Sequence, residues 1–105
     1  AQMLGIAEMA ASHGVMFAPH NPTGPICTVA SLHVACAARG AHMLELQFDE
    51  SPLYDALIGH QHPVLRNGKY QVPNTIGLGV DLDKKVLAAH PFQPVPFGIE
   101  TLLAN

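Results

Sequence analysis

The sequence predicts an α/β fold built around a parallel strand-helix-strand unit, on three observations. Two short, unbroken apolar runs, at 15–18 and 42–46, read as strands. A helical stripe at 25–39 lies between them. A further helical segment precedes the first run, so helix and strand already alternate when the chain reaches it.

Each element follows from its residues. In 1–13, Met3, Ile6, Ala7 and Ala10 recur at helical spacing, and Gly14 stands where a helix C′ residue belongs. Val15-Met16-Phe17-Ala18 reads as a strand buried on both faces. Residues 19–25, PHNPTGP, are dense in turn formers, and Pro25 suits the first helical position. Ile26, Val29, Leu32, His33 and Cys36 mark the second helix, which Gly40 can cap. His42 to Leu46 is the second strand, interrupted by Glu45. A unit of this kind takes about 30 residues, which 15–46 supplies, and its crossover is right-handed.

Beyond Leu46 the pattern changes. Pro52 to Ile58 reads as a helical turn. Asn67-Gly68 between Val64-Leu65-Arg66 and Lys69-Tyr70-Gln71-Val72 signals a hairpin with a type I′ turn. Pro73 to Gly79 is loop, Asp81 suits the N-cap of a short helix over 82–89, and Pro91 to Pro96 is extended.

Composition excludes several function classes. The 105 residues are at most one domain. With Lys+Arg 5 against Asp+Glu 8, the net charge of −3 argues against a nucleic-acid binder that relies on neutralising phosphates. No basic run is present to hold an anionic membrane, and no apolar run is long enough to span one. No signal peptide is read at the start, where AQMLGIAEM resembles a helix interior. Cys27 and Cys36 would face opposite sides of one helix and cannot pair, so the cytoplasm is the expected compartment. Charged residues are 12% of the chain, about half the usual share, and the first 44 residues hold only Glu8 and Arg39. Either this is a weakly charged domain, or its surfaces are covered by chain outside these residues.

Two polar residues stand out. His20 directly follows the C-terminal end of the first strand, the edge where ligands and catalytic groups collect in parallel sheets. Glu45 places a carboxylate at the end of an apolar strand, where burial is costly without a partner. Adjacent strands lie about 4.8 Å apart, so both could reach one substrate. The alternatives are a histidine bonded within its turn, and a glutamate that is exposed or paired with Arg39 or an unseen partner. Weaker features are the His60-Gln61-His62 pair, which lacks a third metal ligand at a recognised spacing, and the acidic Asp49, Glu50 and Asp55. Gly77-Leu78-Gly79 lacks the third glycine of a dinucleotide loop. His13, His33, His42 and His90 read as surface or satisfied polar residues.

Five segments carry a family resemblance. APHNPTGPI (18–26), ASLHVACA (30–37) and LELQ (44–47) resemble the C-terminal part of the enolase superfamily. The similarity is greatest to the mandelate racemase subgroup and its acid-sugar, galactonate-type dehydratases. RNGKY (66–70) and PNTIGLGVDLD (73–83) resemble the hairpin and stretch that close the barrel domain there. The resemblance implies that 1–90 form the C-terminal portion of a (β/α)8 TIM-type barrel, in the order helix-strand-helix-strand with a closing hairpin, and that 91–105 are an extended tail. It implies that His20 corresponds to the proton-transferring histidine ending the seventh strand. It implies that Glu45 corresponds to the glutamate of the eighth strand, which hydrogen-bonds the substrate carboxylate or enediolate. A raised pKa would let Glu45 donate that bond.

The implied activity is a Mg2+-dependent acid-sugar dehydratase, a hydro-lyase giving a 2-keto-3-deoxy acid. A racemase or cycloisomerase of the same superfamily, or a non-catalytic structural fragment, are the alternatives. The metal ligands are expected outside this chain, on the rest of the barrel. The expected partners are a small carboxylate substrate, the remainder of the barrel with its capping domain, and further copies in a homo-oligomer. A complete barrel takes about 250 residues, so the 105-residue chain alone is expected to be inactive.

Overall fold

The computed structural model describes residues 2–46, 51–59, 61, 63–72 and 74–94. Helix α1, Gln2–Ser12, is rich in Ala, Leu and Met, strong helix formers. It ends before Gly14, whose φ of 69° closes the turn as expected. Its inward face is Leu4, Ala7, Ala10 and Ala11, with Ala7 fully buried. These small side chains let α1 lie close to α2. The bulkier Met3, Ile6 and Met9 remain exposed, so the predicted stripe is rotated, with Met3 and Ile6 on the open side.

Helix α2, Pro25–Ala37, begins on a proline whose missing N–H costs nothing at that position. Val29 and Leu32 of α2 join Ala7 and Ile58 as the buried apolar core. Thr28 and Ser31 are buried beside them, although the apolar stripe did not include them. The helix stops at Ala37, earlier than predicted, and the Ala38 N–H bonds the Val34 carbonyl.

The two predicted strands approach each other in parallel, but over one bridge only, Phe17 with Ala41. The Phe17 N–H donates to the Gly40 carbonyl at 3.1 Å and the His42 N–H to the Phe17 carbonyl at 3.3 Å. The expected burial of 15–18 on both faces is corrected: Val15 is 57% and Met16 66% exposed. Nothing among the described residues pairs with the other edge of that segment, so its apolar run has no sheet to enter.

The rest matches the predicted order with one shift. Helix α3, Leu53–Ala56, supplies the helical turn. Strands β1, Leu65–Arg66, and β2, Lys69–Tyr70, pair antiparallel. Asn67 and Gly68 take φ of 52° and 72°, as a type I′ turn demands. Helix α4, Lys84–Ala89, is capped by Asp83 and not by Asp81. The Asp83 carboxylate accepts from the N–H groups of Lys85 and Val86, which Asp81 stands too early to reach. The Asp83 N–H also bonds the Leu57 carbonyl at 2.8 Å, tying α4 to the end of α3. Residues 91–94 of the predicted tail carry no regular structure and are exposed, and its remainder lies outside the described residues. No described helix is long and apolar enough to cross a membrane.

Candidate active site

Parallel pairing brings the C-terminal ends of the two extended segments side by side. His20 lies three residues past Phe17, and Glu45 four past Ala41, so both stand at one end. The His20 Nδ1 lies 2.7 Å from Glu45 Oε2. The two residues singled out in the sequence are therefore in direct contact, and Glu45 pairs with His20 and not with Arg39. A carboxylate only accepts, so the proton sits on Nδ1. In the neutral imidazole this leaves the Nε2 lone pair as the open base.

The pair lies near the surface, with side chains 77% and 48% exposed for His20 and Glu45. Glu45 Oε2 also accepts from the Asn21 main-chain N–H at 3.2 Å. These contacts hold the carboxyl below its ordinary value of 4.5. The His20 hydrogen bond is the larger cause and the Asn21 N–H the next, while slight desolvation opposes them. The expectation of a raised, proton-donating Glu45 is thereby corrected. Too little of it is buried for desolvation to prevail, and its partners favour the anion.

Asn21 is the residue that sequence reasoning missed. It is 2% exposed, and its Nδ2 donates to Thr28 Oγ1 at 2.9 Å and to the Glu45 carbonyl at 3.0 Å. The Thr28 hydroxyl donates in turn to the Gly24 carbonyl and meets the Tyr54 hydroxyl. In the sequence Asn21 is one turn former among seven, and nothing there joins it to Thr28 or Tyr54. The signal available was an Asn held extended before Pro22, with a hydroxyl two turns ahead on the coming helix.

The other histidines are satisfied by nearby carbonyls where the structure shows partners. His33 Nε2 bonds the Leu78 carbonyl, His90 Nδ1 that of Val86, and His13 Nδ1 that of Met9. His60, His62, Asp49 and Glu50 lie outside the described residues. Among the described residues no group of three His, Cys, Asp or Glu could hold a metal ion. His20 and Glu45 offer one nitrogen and one carboxylate, which does not suit Mg2+ and its preference for octahedral oxygen ligands. Cys27 and Cys36 are both free thiols, as their opposite placement on α2 requires.

Comparison with known proteins places these features in a family. Residues 1–86 match the family model described as Enolase C-terminal domain-like. The D-xylonate dehydratase of Haloferax volcanii is 32% identical over 85 residues, 81% of this chain and 20% of that protein. The D-galactonate dehydratase of Pectobacterium atrosepticum is 31% identical over 87 residues, 78% of this chain and 23% of that protein. Among solved structures, the mandelate racemase/muconate lactonizing enzyme from Jannaschia sp. CCS1 superposes with a TM-score of 0.77 at 30% identity, covering 88% of this chain and 23% of its own. The chain thus spans about a fifth to a quarter of the length of these relatives. With two helices, two extended segments joined by one parallel bridge, and a closing hairpin, it belongs to the enolase C-terminal domain-like family and forms the C-terminal part of a (β/α)8 barrel.

Proposed function

We propose that this chain is the C-terminal part of an acid-sugar dehydratase, with His20 and Glu45 as its contribution to the active site. The observation that carries the reading is the 2.7 Å bond between His20 Nδ1 and Glu45 Oε2 at the joined ends of two parallel segments. The similarity to dehydratases of xylonate and galactonate supports an acid-sugar substrate. In this reading His20 Nε2 transfers a proton at the carbon next to the substrate carboxylate. Hydroxide leaves the neighbouring carbon, and the resulting enol becomes a 2-keto-3-deoxy acid. Glu45 is ionised at neutral pH and holds the imidazole by its Nδ1–H.

An α-proton is very weakly acidic, so the developing oxyanion must be stabilised by other groups. The described residues of this chain do not supply a site for that, and the Mg2+ typical of the superfamily would have its ligands elsewhere. The 1–90 and 91–105 division, a homo-oligomer and a cytoplasmic location are part of the same proposal.

Racemisation is the second reading, favoured by the likeness to a mandelate racemase/muconate lactonizing enzyme. The test is to assay the full-length protein with Mg2+ on a panel of aldonates and chiral 2-hydroxy acids. Formation of a 2-keto-3-deoxy acid that His20→Asn abolishes is the expected result. Product appearing only as inversion at the α-carbon overturns the dehydratase reading in favour of the racemase.

A further inference from the structure

We infer that Asn21 is a positioning residue for the His20–Glu45 pair, gripping Glu45 at its main chain with the side-chain amide and at its carboxylate with the backbone N–H. The inference rests on the reading of that pair as the site. Three distances carry it: Nδ2 to the Glu45 carbonyl at 3.0 Å, N to Glu45 Oε2 at 3.2 Å, and Nδ2 to Thr28 Oγ1 at 2.9 Å.

The orientation of the amide is fixed by chemistry. The Glu45 carbonyl can only accept, so Nδ2 and not Oδ1 must face it. This leaves Oδ1 buried with no partner among the described residues. A buried acceptor without a donor is destabilising. Leucine would fill nearly the same volume without that penalty, so packing alone does not account for an amide here. What the amide adds is two donors aimed at two different segments.

Its anchor is equally defined. Thr28 Oγ1 donates to the Gly24 carbonyl at 3.2 Å, so it is left to accept from Asn21 and from the Tyr54 hydroxyl. Tyr54 lies on α3 and Thr28 on α2, so both helices brace the amide that holds Glu45. His20 is bonded in sequence to Asn21, and fixing the Asn21 backbone also fixes the origin of the imidazole. Within this network His20 is the titratable side chain that meets the Glu45 carboxylate directly.

The test reads the pair itself in the full-length protein, by carbon-13 titration of the Glu45 carboxyl and nitrogen-15 shifts of His20. Asn21→Leu removes both side-chain amide donations and keeps the backbone N–H, without adding charge, and Thr28→Val removes only the anchor. Asn21→Leu is expected to raise the proton affinity of Glu45 by about threefold or more, as its partners loosen. Thr28→Val is expected to shift it in the same direction by less. The resonance of His33, held by the distant Leu78 carbonyl, reports whether the fold is kept.

An unshifted Glu45 in folded Asn21→Leu overturns the inference. If that variant unfolds, Thr28→Val decides: a raised Glu45 supports the inference and an unshifted one overturns it. Unfolding of both variants also overturns it, leaving a purely structural role. Failure of the dehydratase assay would bear on the meaning of the pair and leave this titration unaffected, so the two failures are distinguishable.

Discussion

A single hydrogen bond sets the state of the His20 ring, because committing Nδ1 to Glu45 leaves Nε2 as the nitrogen that, under the proposed reading, would face a substrate. The bond also has a defined pH window. Glu45 titrates lower in the folded chain than its ordinary 4.5. Its ionised form therefore contributes stability that is complete above the unfolded value and lost as pH falls through the folded one. Glu45→Gln is expected to destabilise the chain slightly at pH 7, with a smaller effect at pH 3. Urea unfolding of both proteins at both pH values checks this, and an equal difference at the two would sink it. The effect is small because the pair is solvated. Both partners were legible in the sequence, since a polar group ending an apolar strand breaks a pattern. Asn21 was not, because in PHNPTGP it breaks none. Its importance comes from Thr28 and Tyr54, which long-range folding brings to it.

At the scale of elements, local chemistry was readable wherever it decides the structure alone. Helix α1, helix α2 and the Asn67-Gly68 hairpin all follow from spacing, proline placement and turn residues. Gly68 at φ 72° makes the hairpin dependent on its glycine. Gly68→Val is expected to cost about 1–2 kcal/mol in the hairpin. The loss of the Leu65–Tyr70 pairing in amide exchange measures it. The cap of α4 was misplaced by two residues because Asp81 and Asp83 are equivalent by type. What separates them is the bond from the Asp83 N–H to the Leu57 carbonyl, a contact across the fold. Asp83→Ala is expected to cost about 1 kcal/mol and to fray Lys84–Ala89, seen as faster amide exchange at Lys85 and Val86. Asp81→Ala should leave those amides unchanged. The predicted strands shrank to one bridge for the opposite reason. A strand is stabilised by its neighbours, and apolar patterning at 15–18 records neighbours that the described residues do not include.

The whole molecule carries more surface than its mass requires. A compact protein of 11.2 kDa exposes about 5,700 Å², whereas this chain exposes 8340 Å². Its radius of gyration is 16.8 Å, against about 13 Å for a compact domain of 105 residues. The surplus includes large apolar side chains: Ile6, Met9, Val15, Met16 and Met43 are each more than half exposed. They belong to α1 and the two extended segments, the elements that in a barrel meet further strands and helices. The low charge of residues 1–44 has the same origin, since surfaces that face other chain need no charge to stay in water. Under the proposed reading, the remaining strands of the barrel cover this face. The isolated chain is then expected to bind the dye ANS and to sediment as a concentration-dependent mixture, because open strand edges and exposed Met and Val invite association. The full-length protein should show neither behaviour at these residues, and Val15→Lys with Met16→Glu should reduce association of the isolated chain. If X-ray scattering instead finds an isolated monomer near 13 Å that binds no ANS, the 105 residues collapse by themselves. The apolar face would then be closed by the chain's own packing, and a covering barrel would not be needed to explain it.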